Sequence, residues 1–434
     1  MRLLLPLLLC LFCPTAVHAE DEAAESTLLQ DLDLYEPEDD APAYQKTANE
    51  RFGTQWLCDM AYGGWRTQHG EDGNHGYHYA LLHLILTQRL WESTRTGGTW
   101  LRAEFGGAWG LDKDTCGRNV NEAAASAAAP QWDVLGSHHG GLPEVSLMQF
   151  LNRGRACIIG GVVNLTNYFD CVTPANDSFH SFANAVFIDS SVLPLSDGNL
   201  GGIVQVQAGE GDYLQLAATR TGCDYTLNNN PFHAAHKDGF AVVGEWAHSI
   251  GEHAVLRIDP FYRHLDAKAA ADYSRDTFGL AGSAEWEVSD SVTLFSRGGV
   301  AFRAQDYNRA ELSVGAVLHL IPSREKDFLG IAFGVVKGAA PYGVWEEAEA
   351  VEAAEEEAEE EEDEETAAAA AEPAEGEYPA GGQNHRREYV AELMYSLQLT
   401  PHLKLMPHYE FIARPAYGST RYVQVLGIQA VLSF

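Results

Sequence analysis

Apolar and polar residues alternate with a period of two along much of this chain, most clearly in its C-terminal half. In residues 421–434, Leu426, Ile428 and Leu432 stand on one face, whereas Gln429 and Ser433 stand on the other. Successive side chains of a strand point to opposite sides, so this period predicts a strand with one apolar face. The same pattern occurs in residues 238–248, 254–263, 277–287, 293–303, 311–321, 388–399 and 403–414. These segments approach the roughly 9–11 residues that cross a bilayer at a tilt, whereas strands of soluble sandwiches average about five or six.

The connections between these segments alternate in length. Short turns are predicted near residues 249–252, 289–291, 323–326 and 400–402, and longer connections near 219–237, 264–276 and 337–387. Short turns at one end and long loops at the other are typical of bacterial outer-membrane barrels. The pattern therefore predicts an all-β fold, a transmembrane antiparallel up-and-down β-barrel with an even number of strands, in preference to a soluble sandwich.

The N-terminal residues suggest export. Residues 1–19 combine a basic start, an apolar run from Leu3 to Phe12 and small residues before a cut after Ala19, which predicts a signal peptide. Residues 20–50 are predicted to be an acidic, mobile N-terminal arm, and residues 51–434 the barrel. The expected location is the outer membrane of a Gram-negative cell.

The formal charge of −34 is concentrated in two stretches without Lys or Arg. Residues 20–40 carry 10 acidic residues and residues 346–377 carry 17, so the rest of the chain has a net charge of only −7. Segment 346–377 cannot form a packed core and is predicted to be an acidic low-complexity loop outside the cell. It is either a solvated insertion or a site that captures divalent cations or repels anions. Nothing in the charge distribution indicates nucleic-acid binding.

Cysteine and histidine give no pattern of a metal or catalytic site. Five cysteines follow the signal peptide, and Cys157 with Cys171 is the first disulfide candidate among Cys58, Cys116, Cys157, Cys171 and Cys223. The group His69, His75, His78 and His83, with Glu71 and Asp72, is interpreted as a polar loop, as is His138-His139. No nucleophile elbow or phosphate loop is present. We expect no cofactor, no metal and no enzymatic activity.

Two passages carry more specific motifs. The first runs from Asn164-Leu165-Thr166-Asn167-Tyr168-Phe169-Asp170 through Pro174-Ala175-Asn176-Asp177 to Phe182-Ala183-Asn184. The second runs from Arg387-Glu388-Tyr389 through Leu405-Met406-Pro407-His408 to Leu432-Ser433-Phe434. Both resemble the carbohydrate-selective porin family, whose members have a Thr-(Asp/Asn)-x-Phe-Asp…Ala-Asn-Asp segment and end in a strand closed by Phe. The resemblance implies sixteen strands, passive uptake of sugars and both termini in the periplasm.

In such a barrel the charged face points inward, because Lys or Arg at the bilayer midplane costs about 2–4 kcal/mol. The predicted wall residues of the channel are Glu245, Arg257, Asp259, Glu285, Arg297, Glu392, Lys404, His408 and Glu410. Their mixed signs suit neutral polyols, although each one could simply solvate the wall. Phe261 and Phe295 are candidates for stacking on sugar rings in the lumen.

The resemblance further implies a constriction near residues 164–177. The candidate constriction residues are Asn164, Asn167, Asp170, Asn176 and Asp177. Each of them could equally be a turn cap within a loop. On the apolar faces, the predicted interfacial aromatic girdle comprises Trp246, Trp286, Tyr262, Tyr395, Tyr409 and Phe411.

The expected function is passive diffusion of carbohydrates and other small polar solutes. Its expected partners are those solutes, outer-membrane lipid and lipopolysaccharide, and the barrel-assembly machinery, which would recognise the last strand with Phe434. An oligomer is compatible with the pattern. The alternatives are a non-selective porin, a barrel adhesin that uses the acidic loop, and a secreted soluble β-protein such as a lectin.

Overall fold

A computed structural model describes residues 49, 52–70, 73–93, 97–111, 120–130, 138–152, 154–195, 198–221, 239–265, 275–303, 308–338, 387–416 and 418–434. The signal peptide, nearly all of the acidic arm, the acidic loop 346–377, Cys116 and Cys223 lie outside these residues. The predictions made for them are therefore not addressed by the structure.

The described chain forms sixteen antiparallel strands in one closed barrel, in which β1 pairs with β16. The strands are β1 Thr54–Gln68, β2 Gly76–Ser93, β3 Gly97–Gly110, β4 His138–Leu151, β5 Ala156–Val163, β6 Asn199–Gln207, β7 Asp212–Arg220, β8 Phe240–Ile250, β9 Ala254–His264, β10 Asp276–Ser289, β11 Val292–Phe302, β12 Ala310–Leu318, β13 Phe328–Lys337, β14 Glu388–Thr400, β15 Leu403–Ala413 and β16 Tyr422–Ser433. Closure gives every strand two neighbours, so the sheet has no unpaired edge. The predicted all-β barrel is confirmed, as is its strand number.

The connections follow the predicted alternation, with one difference. Residues 251–253, 290–291 and 401–402 form short turns at one end, which we call the short-turn end. Strand β12 ends at Leu318 rather than at the predicted residue 321, so residues 319–327 form a longer connection. His319 lies in this connection, where its ring contacts Phe328.

The interpretation of two histidine-rich stretches as loops was right for His69 and His75, which lie between β1 and β2, and wrong for the other histidines. His78 and His83 lie within β2, and His138-His139 begins β4. His78 accepts or donates a 2.7 Å hydrogen bond with the Tyr62 hydroxyl on the outer face, whereas His83 pairs with Glu104. Polar residues on both faces of β2 weaken its period of two, which is why the sequence pattern missed this strand.

The outer face of the barrel is apolar. Leu426 is 41% exposed and Ile428 is 45% exposed, while Glu392 and Glu410 on neighbouring strands are buried on the inner side. Five of the six predicted girdle aromatics are exposed on this outer face, and the sixth, Tyr395, is half-buried. This distribution reverses that of a soluble protein, because the solvent around the barrel is hydrocarbon. No helix among the described residues is long and apolar enough to cross a membrane.

Two connections fold into the barrel and form its core. Residues 164–195, between β5 and β6, contain 3-10 turns at Leu165–Asn167 and Thr173–Ala175 and a short helix, α2, at Ala185–Ile188. We call residues 164–195 the internal segment. Residues 120–130, which include helix α1 at Val120–Ala124, enter from the connection between β3 and β4.

The internal segment packs against apolar residues of the inner wall. Phe182 and Phe187 lie in one buried cluster with Val390, Val425 and Val431 of β14 and β16. Burial of each large side chain contributes about 1.5–3 kcal/mol.

Glycine allows the internal segment to approach the wall closely. A Cβ at Gly299 would lie 2.3 Å from Val192 Cγ2, and one at Gly330 would lie 2.9 Å from Phe182 Cζ. A larger residue at either position would push the segment off the wall.

Candidate pore constriction

Carboxylates of the barrel wall accept hydrogen bonds from backbone amides of the internal segment. Glu392 on β14 accepts from Ala183 N at 2.9 Å and from Asn184 N at 3.1 Å, and its Oε1 lies 2.8 Å from His408 Nδ1. The Asn184 side chain donates to Glu410 Oε2 on β15 at 2.7 Å. These groups are buried, so the bonds satisfy backbone amides that would otherwise be left unpaired where α2 begins.

The same arrangement recurs further around the wall. Glu311 on β12 accepts from Ser191 N at 2.7 Å and from both serine hydroxyls of Ser190 and Ser191. Glu285 on β10 accepts from Thr173 N at 2.8 Å and pairs with Arg257 Nη2 at 2.9 Å. Acceptors on separate strands therefore hold the internal segment at several points along its length.

Arg297 on β11 joins two parts of the internal segment. Its Nε donates to Asp170 Oδ2 at 2.7 Å, its Nη2 donates to the Asp170 carbonyl at 3.1 Å, and its Nη1 donates to the Phe187 carbonyl. Asp170 has φ 56°, a left-handed conformation that Asp tolerates better than most residues. Asp170 N also donates to Glu245 Oε2 at 2.9 Å. Arg297 and Asp170 are each 1% exposed, so this pair is completely withdrawn from water.

A further group of wall carboxylates holds the start of the segment. Asn167 Nδ2 donates to Glu104 Oε2 at 2.6 Å and to Glu144 Oε2 at 3.0 Å, and the Tyr168 hydroxyl donates to Glu144 Oε1 at 2.5 Å. Burial beside the charged Glu144 carboxylate raises the pKa of Tyr168 well above its ordinary value. Asn164 acts as the cap of the first 3-10 turn, with its Oδ1 accepting from Thr166 N at 3.2 Å.

A cavity of about 510 Å³ lies between the internal segment and the short-turn end. Its lining includes Asn176, Asp177, His180 and Ser181 of the segment, together with Glu285 and Thr293 of the wall. The other lining residues are Thr173, Pro174, Glu252, His253, Ala254, Val255, Glu287, Val317, His319 and Phe328. A space of this size with several polar groups is suited to a small hydrophilic solute.

Asp177 and His180 form a hydrogen-bonded ion pair on the wall of this cavity. Burial opposes ionisation of Asp177, but the charge and hydrogen bond of His180, the charge of His83 and the Phe179 amide outweigh it and lower the Asp177 pKa to about 2. Burial also opposes ionisation of His180, which by itself would lower the pKa of His180. The charges of Asp177 and Asp59 and the hydrogen bond to Asp177 outweigh burial, so that this pKa is raised above its ordinary value. Each group of the pair therefore favours the charged form of the other.

The predicted site residues fall into two groups. Asn176, Asp177 and Glu285 line the cavity, and Lys404 lies near Asp177 and Asp59. Asn164, Asn167 and Asp170 belong to the internal segment itself. The remaining predicted residues contact the segment or lie beneath it on the inner wall, and all of them are buried: Glu245, Arg257, Asp259, Arg297, Glu392, His408 and Glu410. The structure thus places most of them where they hold the segment.

Two aromatic candidates were wrong and several anchoring carboxylates were missed. Phe261 is 6% exposed and Phe295 is 3% exposed, because the internal segment covers both, so neither ring is open to a sugar. The missed anchors are Glu104, Glu144, Glu311 and Glu388. The alternation Arg102, Glu104 within β3 was a usable signal, since both charges stand on one face.

The disulfide candidate was also wrong. Cys157 and Cys171 are both free thiols, as is Cys58. Cys157 is buried on β5 among apolar residues. Cys171 Sγ instead lies 3.8 Å from the carbonyl oxygens of Thr166 and Phe169.

Comparisons with known proteins agree with this architecture. The model of the carbohydrate-selective porin family, OprB family, matches residues 251–434. A search of curated proteins finds no match. Among solved structures, the high-pH structure of Pseudomonas putida OprB has a TM-score of 0.64 at 16% identity, with 90% of this chain and 96% of that chain covered.

Two further structures are similar at lower scores. The low-pH structure of Pseudomonas putida OprB has a TM-score of 0.48 at 13% identity, covering 90% of this chain and 95% of that chain. A triple mutant of Rhodopseudomonas blastica porin has a TM-score of 0.47 at 10% identity, covering 88% of this chain and all of the other. The resemblance read from the sequence is confirmed: residues 251–434 match the model of the carbohydrate-selective porin family, and the barrel as a whole has the same fold as Pseudomonas putida OprB.

Proposed function

We propose that this outer-membrane porin admits carbohydrates and other small polar solutes to the periplasm by passive diffusion. The observation that carries the proposal is the internal segment, which polar contacts from many strands hold inside the barrel beside a polar cavity of about 510 Å³. A fixed obstruction of this kind sets the width of the path and the groups that a passing solute meets. The family match over residues 251–434 supports sugars as the solutes.

Within this function, the predicted site residues have two proposed roles. Asn176, Asp177, Glu285 and Lys404 contact the solute, because they line the cavity or stand beside it. The buried group, of which Arg297 and Glu392 are the best connected, sets the position of the segment. No catalytic role is proposed for any of them.

The orientation and assembly of the barrel follow from the same proposal. The short-turn end and both termini face the periplasm, and the long connections, including residues 346–377, face outward. Export uses residues 1–19 as signal peptide, and the assembly machinery recognises β16 with Phe434. These assignments are supported by the alternation of connection lengths.

Single-channel recording on the purified protein in planar bilayers tests the function. Addition of glucose or maltooligosaccharides should reduce the ion current, because a sugar in the constriction displaces ions. An open current that no sugar reduces would favour a non-selective porin. The absence of any channel would contradict the proposal altogether. Heat-modifiable migration on a gel provides the control that the barrel is folded.

A further inference from the structure

The cavity at the short-turn end is lined by acidic residues. Asp177, Glu252, Glu285 and Glu287 all contribute to its surface, and its described lining contains neither Lys nor Arg. A wall with an excess of one sign raises the local concentration of solutes of the opposite sign.

Two of the four carboxylates have nearby counter-charges. Glu285 pairs with Arg257 at 2.9 Å, and Asp177 pairs with His180. Glu252 is exposed in the turn between β8 and β9, and the nearest recorded charge partner of Glu287 is the exposed His253, whose Nδ1 lies 3.5 Å away. Glu252 and Glu287 therefore give the cavity a net negative charge at neutral pH.

A buried carboxyl group, Asp59, lies behind the cavity. Asp59 on β1 is 0% exposed, and neither of its carboxylate oxygens accepts a hydrogen bond within the described chain. Its Oδ1 lies 3.6 Å from Nε2 of His180, which is itself part of the cavity wall. Lys404 stands close to Asp59 and Asp177 and offsets one of these charges.

We propose that this channel distinguishes sugars by charge, admitting protonated amino sugars faster than neutral sugars, and neutral sugars faster than uronates. The inference rests on the proposed function and adds a substrate class to it. In water, one carboxylate at about 7 Å from a singly charged sugar changes the local concentration of that sugar about threefold. Glucosamine should therefore enter about threefold faster than glucose, and glucuronate about threefold slower.

Uptake of radiolabelled sugars into proteoliposomes tests the proposal. Glucosamine, glucose and glucuronate are compared at trace concentration in the same dilute KCl, so that counter-ions do not limit their entry. The pH is chosen so that the amine is protonated and the carboxylate ionised. The differences should shrink at high salt, where the charges are screened. Equal rates, or faster entry of glucuronate, would overturn the charge preference while leaving sugar uptake intact, whereas no entry of glucose would overturn the proposed function with it.

Matched variants assign the effect to the cavity. The double variant Glu252→Gln/Glu287→Gln should bring the ratio of glucosamine to glucuronate uptake severalfold closer to one. Glu210→Gln removes a carboxylate from another short turn that does not line the cavity, and it should leave the ratio unchanged. Both changes keep side-chain size and lie in exposed positions, so folding should be preserved. An unchanged ratio in the double variant would show that Glu252 and Glu287 do not select solutes.

Discussion

The outer and inner faces of the same strands follow different rules. On β14, Leu393 is 46% exposed on the outside, whereas its neighbour Glu392 is 1% exposed on the inside. The outer face needs only to be apolar, because lipid has no fixed shape to match. The inner face must fit the internal segment atom by atom, since each buried polar group there needs a partner. The effect of a substitution on stability should therefore depend on its depth in the membrane when it lies on the outer face, and on the specific contacts that it removes when it lies on the inner face.

The largest effect is expected from the inner face at Arg297. Arg297→Met removes the donor to Asp170 and Phe187 and leaves a buried carboxylate unpaired, which should destabilise the internal segment by about 3–5 kcal/mol. Hydrogen exchange should show lost protection confined to residues 164–195, and the single-channel conductance should rise. The double variant Asp170→Asn/Arg297→Met should recover part of the loss, since no unpaired charge remains. Unchanged protection in Arg297→Met would contradict the anchoring role.

On the outer face, the effect should depend on depth. Leu393→Arg lies in the middle of β14 and should lower the free energy of unfolding in lipid vesicles by about 2–4 kcal/mol. Leu399→Arg, at the end of the same strand and also exposed, should cost only about 0–1 kcal/mol. Denaturant titration of both variants measures the difference. Equal costs would mean that β14 does not cross the membrane as assigned.

A smaller effect is expected when the inner face keeps its shape and loses only a charge. Glu392→Gln retains one acceptor oxygen but loses the charge-assisted bonds from Ala183 N and Asn184 N, which should cost about 1.5–3 kcal/mol. The exposed turn residue Glu325, replaced in the same way, should change stability by less than about 0.5 kcal/mol. Denaturant titration of both variants measures the two costs. If Glu392→Gln behaves like the turn variant, the wall carboxylates are not anchors.

The smallest effect concerns the Asp177–His180 pair. Asp177 has a lowered pKa, so its contribution is present above the ordinary Asp range and is lost as pH falls toward about 2. His180 has a raised pKa, so its contribution is complete below the ordinary His range and is lost as pH rises through that raised value. Conductance should therefore change as the pH rises through the raised pKa of His180, where His180 loses its proton. The variant His180→Gln should remove this change, and persistence of the change would assign it to another group.

Much of the fold could be predicted from the sequence because the alternation depends only on neighbours along the chain. The eight strands assigned in the C-terminal half match β8 to β12 and β14 to β16, with one end displaced by three residues. The N-terminal strands were harder to predict from the sequence, since β2 carries His78 on its outer face and His83 on its inner face. The inward direction of Glu392 and Glu410 followed from the cost of a charge in lipid.

The sequence alone thus determined a closed sheet with an apolar outer face and a polar inner face, and a segment between two strands that carries the family motif. Only the tertiary structure decided that this segment turns inward, and that it covers Phe261, Phe295 and most of the predicted channel charges. Val425 and Val431 illustrate the reason: they break the polar face of β16 in sequence, yet both are fully buried in the cluster that contains Phe182 and Phe187 of the internal segment. Such contacts join residues more than two hundred positions apart, and the period of a strand carries no information about what will cover its inner face.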